Sequence, residues 1–470
     1  MTRVLVVVFF ALLSQSVFSQ ETLTLTRAIE LGLQNNFDIQ ITKQDIEIAA
    51  NNNNWGQAGR YPTINLILNQ NNNVVQRKPA NPFAVAGKNI NDNIIGQVDI
   101  QFTLFRGFAI NVTKNQLARL EEISQGNSTF VMETTLQNII LAYYQALLDK
   151  ENLNVLRINR SFSKERYEFV RLRKSLGGAI TFDVLQEQNN YLTDSANVLQ
   201  QEIRYTNTLR SLNLLLSDSI NHSYILTDSL QFTDQSYVYD DLRSRMERSN
   251  TNLHNQFVNQ EILRNNTRLQ QSALYPSLVL NAGGNGSIDQ LNADFRQSTG
   301  PLQENTVGYV NRDPAQPVYN STNSSVFSNQ TLVGNSYGAY ANLSLRWTLF
   351  NGGQIRRSVE NAKINEKIGL LSIDQLKLSL EYDLLTTFDL YNLRRQLVAI
   401  TIEKMKAAEL NLELANERYK NGALSAIDLR IVQENYRNAA LEKYLALYSV
   451  LSAQANLIRL TGGMLERVID

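Results

Sequence analysis

The sequence predicts an α+β membrane protein in which one unit is used twice, each unit contributing a helix, two amphipathic strands and a pair of very long helices. Three observations carry that prediction. First, the turn Lys174-Ser-Leu-Gly177-Gly178-Ala-Ile-Thr181-Phe-Asp183 recurs as Tyr419-Lys420-Asn-Gly422-Ala-Leu-Ser425-Ala-Ile-Asp428, so that Gly177 and Gly422 are displaced by 245 residues. The same displacement places Thr103-Leu104-Phe105 on Thr348-Leu349-Phe350, Gly107 on Gly352 and Tyr191 on Tyr436. An ungapped repeat of this length marks an internal duplication. Second, two stretches in each half alternate apolar and polar residues, which is the period of a strand with unlike faces. Third, the segments around both glycine turns keep the three-and-four spacing of amphipathic helices without a proline.

Composition narrows the function. The 470 residues include no cysteine and only two histidines, His222 and His254. Thiol chemistry and cysteine metal sites are excluded, and imidazole sites are poorly supplied. No phosphate-binding glycine loop or nucleophile constellation is present, so an enzyme fails on inventory, and no cofactor or metal is expected. Formal charge is zero, with no basic footprint for nucleic acid.

Residues 1–19 read as a secretory signal, with basic Arg3, an apolar run from Val4 to Leu13 and the small or permissive residues Val17-Phe18-Ser19 before a cut near Gln20. Cleavage removes one positive charge and leaves −1. No later stretch reaches the roughly 20 apolar residues of a membrane helix. A membrane crossing must therefore use strands, and these must close into a barrel to satisfy their edges.

The first repeat is expected over 20–216. A helix runs from Leu25 to about Asn54, with Thr24 or Thr26 as its cap, and Tyr61-Pro62 ends it. Ile64, Leu66 and Leu68 share one face of the first strand. Asn71 to Asn93 reads as a polar loop. In the second strand Val98, Ile100, Phe102 and Leu104 oppose Gln97, Asp99, Gln101 and Thr103. The long helix from Gly107 to about Lys174 is a rod on the order of 100 Å. The tip at 175–181 reverses the chain, and Thr181 or Asp183 caps the return helix.

A connector follows at 217–238, and the second repeat is expected over 239–460. Its first helix, Leu242 to Leu274, is displaced by 214 from its twin, which places Tyr275-Pro276 on Tyr61-Pro62. Leu278, Leu280 and Ala282 repeat the first strand. Leu343, Leu345, Trp347 and Leu349 repeat the second, with Asn342, Ser344, Arg346 and Thr348 opposite. Because the two displacements differ, residues 283–334 are extra chain, expected as a long exposed loop or an extended strand tip. The second tip lies at 420–426 and a tail at 461–470.

Four candidate membrane strands cannot close a barrel when the smallest single-chain barrels have eight, so the protein must oligomerise. Spacing alone allows a dimer with eight strands or a trimer with twelve.

The duplicated helix–strand–strand–helix unit, Tyr61-Pro62 and Tyr275-Pro276, Thr348-Leu-Phe-Asn-Gly-Gly353 and Tyr419-Lys420-Asn-Gly422 followed by Asp428-Leu429 resemble the TolC-like outer-membrane efflux protein family, over essentially the whole mature chain. The resemblance implies a homotrimer, with a twelve-stranded trans-protomer β-barrel in outer-membrane lipid and a long antiparallel α-helical barrel in the periplasm of a Gram-negative bacterium. It further implies a passive exit duct for efflux or type I secretion, met by a periplasmic adaptor and an inner-membrane pump of RND, ABC or MFS type. Lys174, Gly177, Gly178, Thr181, Lys420, Gly422 and Ser425 then form the adaptor-docking tip, and Asp183, Tyr419 and Asp428 the pore constriction. The aspartates are equally suited to capping the returning helices. Ile64, Leu66, Leu68, Val98, Ile100, Phe102, Leu278, Leu280, Leu343, Leu345 and Trp347 face lipid. Two positions depart from the family pattern: Ile431 stands where relatives often have a second acid, and Leu424 where some use a gate-closing arginine. The rival reading is an exported trimeric coiled-coil structural or adhesin protein, which would confine its barrel strands to one end of the chain.

Overall fold

The computed structural model describes residues 21–80, 85–298 and 300–465; the expected signal segment and the last residues of the tail lie outside them. In chain order the elements are β1 (Glu21–Leu23), α1 (Leu25–Asn35), α2 (Phe37–Asn52), β2 (Thr63–Arg77), β3 (Gly87–Arg106), α3 (Ala109–Ser175) and α4 (Thr181–Leu216). Then follow β4 (Tyr224–Leu226), α5 (Tyr239–Ser249), α6 (Thr251–Ser272), β5 (Ser277–Gln297), β6 (Leu302–Tyr309), β7 (Pro317–Asn323), β8 (Val326–Arg346), α7 (Gln354–Lys420) and α8 (Ala426–Leu460). The twin helices α3 and α7 each have 67 residues. No helix among the described residues is long and apolar enough to cross a membrane.

The chain divides into two compact units. One holds Met1–Asn52, Ala118–Arg264 and Ile364–Asp470. Its core draws on both repeats, with Leu23, Ile139, Tyr143, Leu212 and Leu216 from the first and Leu253, Leu384, Tyr391, Val450 and Leu457 from the second. β1 and β4 pair in parallel. The buried Tyr143 hydroxyl donates to Leu23 O at 2.9 Å and to Asp228 Oδ2 at 2.8 Å, and that carboxylate also accepts from Leu25 N at 2.7 Å. Burial and the neighbouring Asp228 carboxylate push the Tyr143 phenol well above its usual range.

The single first helix expected in each repeat is two helices. Asn36 separates α1 from α2, and Asn250, its twin, separates α5 from α6. Asn36 Oδ1 accepts from Asp38 N and Ile39 N, while its Nδ2 donates to Leu215 O at 2.9 Å. Asn250 Oδ1 accepts from Leu253 N, and its Nδ2 donates to Leu460 O at 3.0 Å. Leu215 and Leu460 are themselves repeat partners. In each repeat one amide caps the start of a helix and ties it to the end of a long one, so helix continuity gives way to a side chain that competes for backbone groups.

The other unit holds Asn53–Leu117 and Asn265–Lys363. Its four long strands form one antiparallel sheet in the order β2-β3-β5-β8. Residues 71–93, expected as a polar loop, are largely strand: β2 continues to Arg77 and β3 begins at Gly87. Ladder hydrogen bonds hold this Asn-rich backbone although neither face is consistently apolar. Most of 283–334 is likewise paired, as the outer halves of β5 and β8 and as a separate β6–β7 hairpin. β8 ends at Arg346, so Trp347 and Leu349 lie past the strand; Trp347 Nε1 donates to Leu274 O at 3.1 Å.

Candidate functional site

Both tips are built by the same backbone logic. α3 ends with Gly178 N donating to Arg173 O at 2.8 Å, and α7 with Ala423 N donating to Arg418 O at 2.8 Å. Gly177 has φ +79° and Gly422 φ +73°, left-handed values that suit glycine, and no atom lies within 4 Å of where a Cβ would stand at either. The returning helices start differently. Ser425 caps α8: its Oγ accepts from Asp428 N at 3.1 Å and donates to Asp428 Oδ2 at 2.7 Å. The twin of Ser425 is Ile180, which offers no hydroxyl, and there Asp183 Oδ2 accepts from Ile180 N at 3.1 Å. Both aspartates therefore act at helix starts while staying exposed.

The two tips flank a cavity of about 530 Å³ lined by Phe169, Arg173, Phe182, Asp183, Tyr419, Lys420 and Leu424 among others. Lys174, Thr181, Lys420 and Ser425 are exposed around it. Tyr419 is half-buried, with its ring edge-on to Phe169 at 5.7 Å between centroids. Burial raises its phenol pKa and Glu187 adds to the rise, while Arg173 and Arg166 oppose it.

Behind the cavity lies a charged cluster that the sequence reading missed. Arg166 Nε and Glu187 Oε2 meet at 3.0 Å with side chains only 3% and 6% exposed. Arg430 grips Asp194 with both terminal nitrogens, at 2.6 and 3.3 Å, and Asp194 is 1% exposed. Arg430 also contacts Glu434, which contacts Arg437. The cluster joins α3 to α4 and α4 to α8. Leu424 and Ile431 carry no charge, and Arg430 between them makes the ion pairs. The signal available in the sequence was the set of charges inside otherwise apolar stripes.

The sheet has two unlike faces. On one, Ile64 pairs with Ile100 and then Ala282, Leu66 with Val98, Phe102 with Leu280 and then Leu343, and Leu278 with Leu345. Ile64, Leu66, Leu68, Leu343 and Leu345 are exposed, at 62% to 72%. On the other face stand Asn65, Asp99, Gln101, Asn281 and Asn342. Asp99 accepts from Gln97 Nε2 at 2.7 Å and from the Tyr340 hydroxyl. The Tyr340 hydroxyl reaches Asp99 by passing over Gly283, where an added Cβ would stand 2.8 Å from it. A bulge between Thr103 and Phe105 takes Leu104 out of register.

A duplicated pair of glycine-turn helical hairpins carried with a four-stranded antiparallel sheet is the fold of the TolC-like outer-membrane channels. The CmeC outer membrane channel of Campylobacter jejuni is 16% identical with TM-score 0.70, over 95% of this chain and 86% of that one. VceC of Vibrio cholerae is 14% identical with TM-score 0.66, over 93% and 96%. The open-state MtrE channel of Neisseria gonorrhoeae is 14% identical with TM-score 0.62, over 94% and 89%. Residues 242–463 match the family model described as outer membrane efflux protein, and comparison with curated protein sequences finds no match. The match falls on the second repeat, and the fold is that of the solved outer-membrane channels over nearly the whole chain.

Proposed function

We propose that the protein is the outer-membrane exit duct of a tripartite efflux or type I secretion system, in which three copies passively conduct substrate delivered by a periplasmic adaptor and an inner-membrane pump. The sheet carries this reading. Its apolar face is bounded by Tyr337, 92% exposed, and Trp347, 59% exposed. Ten residues of strand span about 34 Å, and a tilt of 35–45° reduces this to about 24–28 Å, close to the roughly 25 Å apolar band with aromatic girdles of outer-membrane barrels. β2 and β8 are the free edges of the sheet. With four strands in strict alternation, β8 of one copy is antiparallel to β2 of the next, so three copies close twelve strands.

The glycine tips are the docking site for the adaptor, because an open position beside a left-handed glycine accepts a close backbone approach. Asp183 and Asp428 form carboxylate rings at the mouth, and Tyr419 packs the gate behind them. The pump is of RND, ABC or MFS type. Replacing Gly177 or Gly422 by tryptophan is expected to abolish adaptor-dependent export and leave trimers intact, read by toxic-compound susceptibility of a strain carrying the variant in place of the wild-type gene. Normal export by both variants would remove the docking assignment; unchanged susceptibility on deleting the gene would remove the efflux reading.

A further inference from the structure

The bulge in β3 changes which way an arginine faces. Val98, Ile100 and Phe102 hold the apolar face, and strict alternation would carry Arg106 onto it. The extra residue Leu104 reverses the parity: Phe105 pairs with Leu278 of the apolar face, and Arg106 pairs with Ser277 of the polar one. Ser277 pairs in turn with Arg346. Arg106 and Arg346 therefore stand in one row of the polar face with only Ser277 between them, and strands about 4.8 Å apart put their Cα atoms on the order of 10 Å from each other. Bulges of this kind re-aim a side chain beside functional sites.

The row opens onto a cavity of about 530 Å³. Thr103, Thr113, Ser272 and Tyr275 line it together with the two arginines, and no Asp or Glu does. Among the described residues neither guanidinium has an ion-pair partner. The first acid above the row on the same face is Asp99, opposite Gly283, six β5 residues and about 20 Å away. It is already engaged by Gln97 and Tyr340. The surroundings have the sign of the arginines. Although the whole chain is neutral, residues 53–62, 100–117, 265–280 and 341–363, which frame the base of the sheet, hold eight Lys or Arg and one acid, Glu360. Arg356 takes that acid at 3.3 Å. Two guanidiniums held this close repel, and a phosphate or carboxylate between them turns the repulsion into two charge-assisted hydrogen-bonding forks.

We propose that Arg106 and Arg346 bind the phosphate or carboxylate group of a soluble anion inside the duct. Ser277 and the two threonines are neutral donors beside them, and Tyr275 and Ile110 give the rest of the ligand an apolar wall. The inference rests on the duct proposed above, in which the polar face lines the passage, and it names a substrate class for that duct: anions that carry an apolar body.

Isothermal titration calorimetry of the purified full-length protein in a neutral detergent, with inorganic pyrophosphate as the probe, tests the site. Wild type is expected to bind, and Arg106→Gln and Arg346→Gln are each expected to weaken binding by about tenfold or more. Arg356→Gln, in the same basic surroundings but outside the cavity lining, is expected to bind as wild type does. An equal loss in Arg356→Gln would show a diffuse field and overturn the site. Native mass spectrometry with phosphatidylglycerol present separates the two sources of a phosphate group. Phosphatidylglycerol retained by wild type and lost from Arg106→Gln/Arg346→Gln would put a lipid headgroup on the arginines and overturn the soluble ligand. Wild-type protein that gives conductance steps in planar bilayers and binds no pyrophosphate overturns the site and leaves the duct. Binding by protein that passes no ions keeps the arginine site and removes the duct around it.

Discussion

Replacing Leu343 by lysine is expected to destabilise the membrane-inserted protein, whereas the same change one residue earlier, at Asn342, is expected to be almost silent. Leu343 pairs with Leu280, which pairs with Phe102, and its side chain is 62% exposed on the apolar face. It lies near the middle of the span from Tyr337 to Trp347, the proposed bilayer midplane. A lysine facing lipid at that depth costs about 2–4 kcal/mol in each copy, a large share of the roughly 5–15 kcal/mol that holds a typical domain folded. Asn342 points the other way, opposite Asn281, whose partner is Gln101. A lysine there joins a polar face and costs less than about 1 kcal/mol. Urea titration of protein folded into lipid vesicles, followed by tryptophan fluorescence, reads the difference as a shift in midpoint at constant slope. Equal shifts for the two variants, or a larger one for Asn342→Lys, would refute the assignment of the apolar face to lipid.

Asn250→Ala leaves Leu253 N–H and Leu460 O without their amide partner, and a loss of about 1–3 kcal/mol is expected in the same titration. Arg430→Met strands the buried Asp194 carboxylate at an expected cost of about 3–5 kcal/mol, and Arg430→Met/Asp194→Leu is expected to recover most of it, since a buried ion pair is about as good as a packed apolar pair. A double variant no better than the single one would show that the pair carries more than its mutual compensation. Asp428→Ala, which keeps the Ser425 cap of the Asp428 backbone position, is expected to lower cation preference in planar bilayers; unchanged ion selectivity counts against a pore-facing carboxylate.

The duplication made the hairpins legible, because a glycine needing positive φ and an aspartate six positions later recur at both tips with matching backbone bonds. The inner halves of the strands were legible for a similar reason: Ile64, Leu66 and Leu68 against Asn65 and Asn69 carry the period of a two-faced sheet. The outer halves were not. Asn71, Asn72 and Asn73 pair with Asn93, Asp92 and Asn91, so side chains give no alternation and only the ladder makes the strand. Asn36 and Asn250 broke helices that periodicity extended through them, although their equivalent places in the two repeats were a signal. The buried ion pairs escaped because their partners are distant: Asp194 and Arg430 are 236 residues apart. Local patterning reports which face is apolar, not which charge finds which.

Single-channel recording of the purified full-length protein in planar lipid bilayers tests the central claim most directly. An open duct formed by three copies predicts discrete, uniform conductance steps from material that is trimeric by native mass spectrometry. Trimers that insert into the bilayer and pass no ions would contradict it.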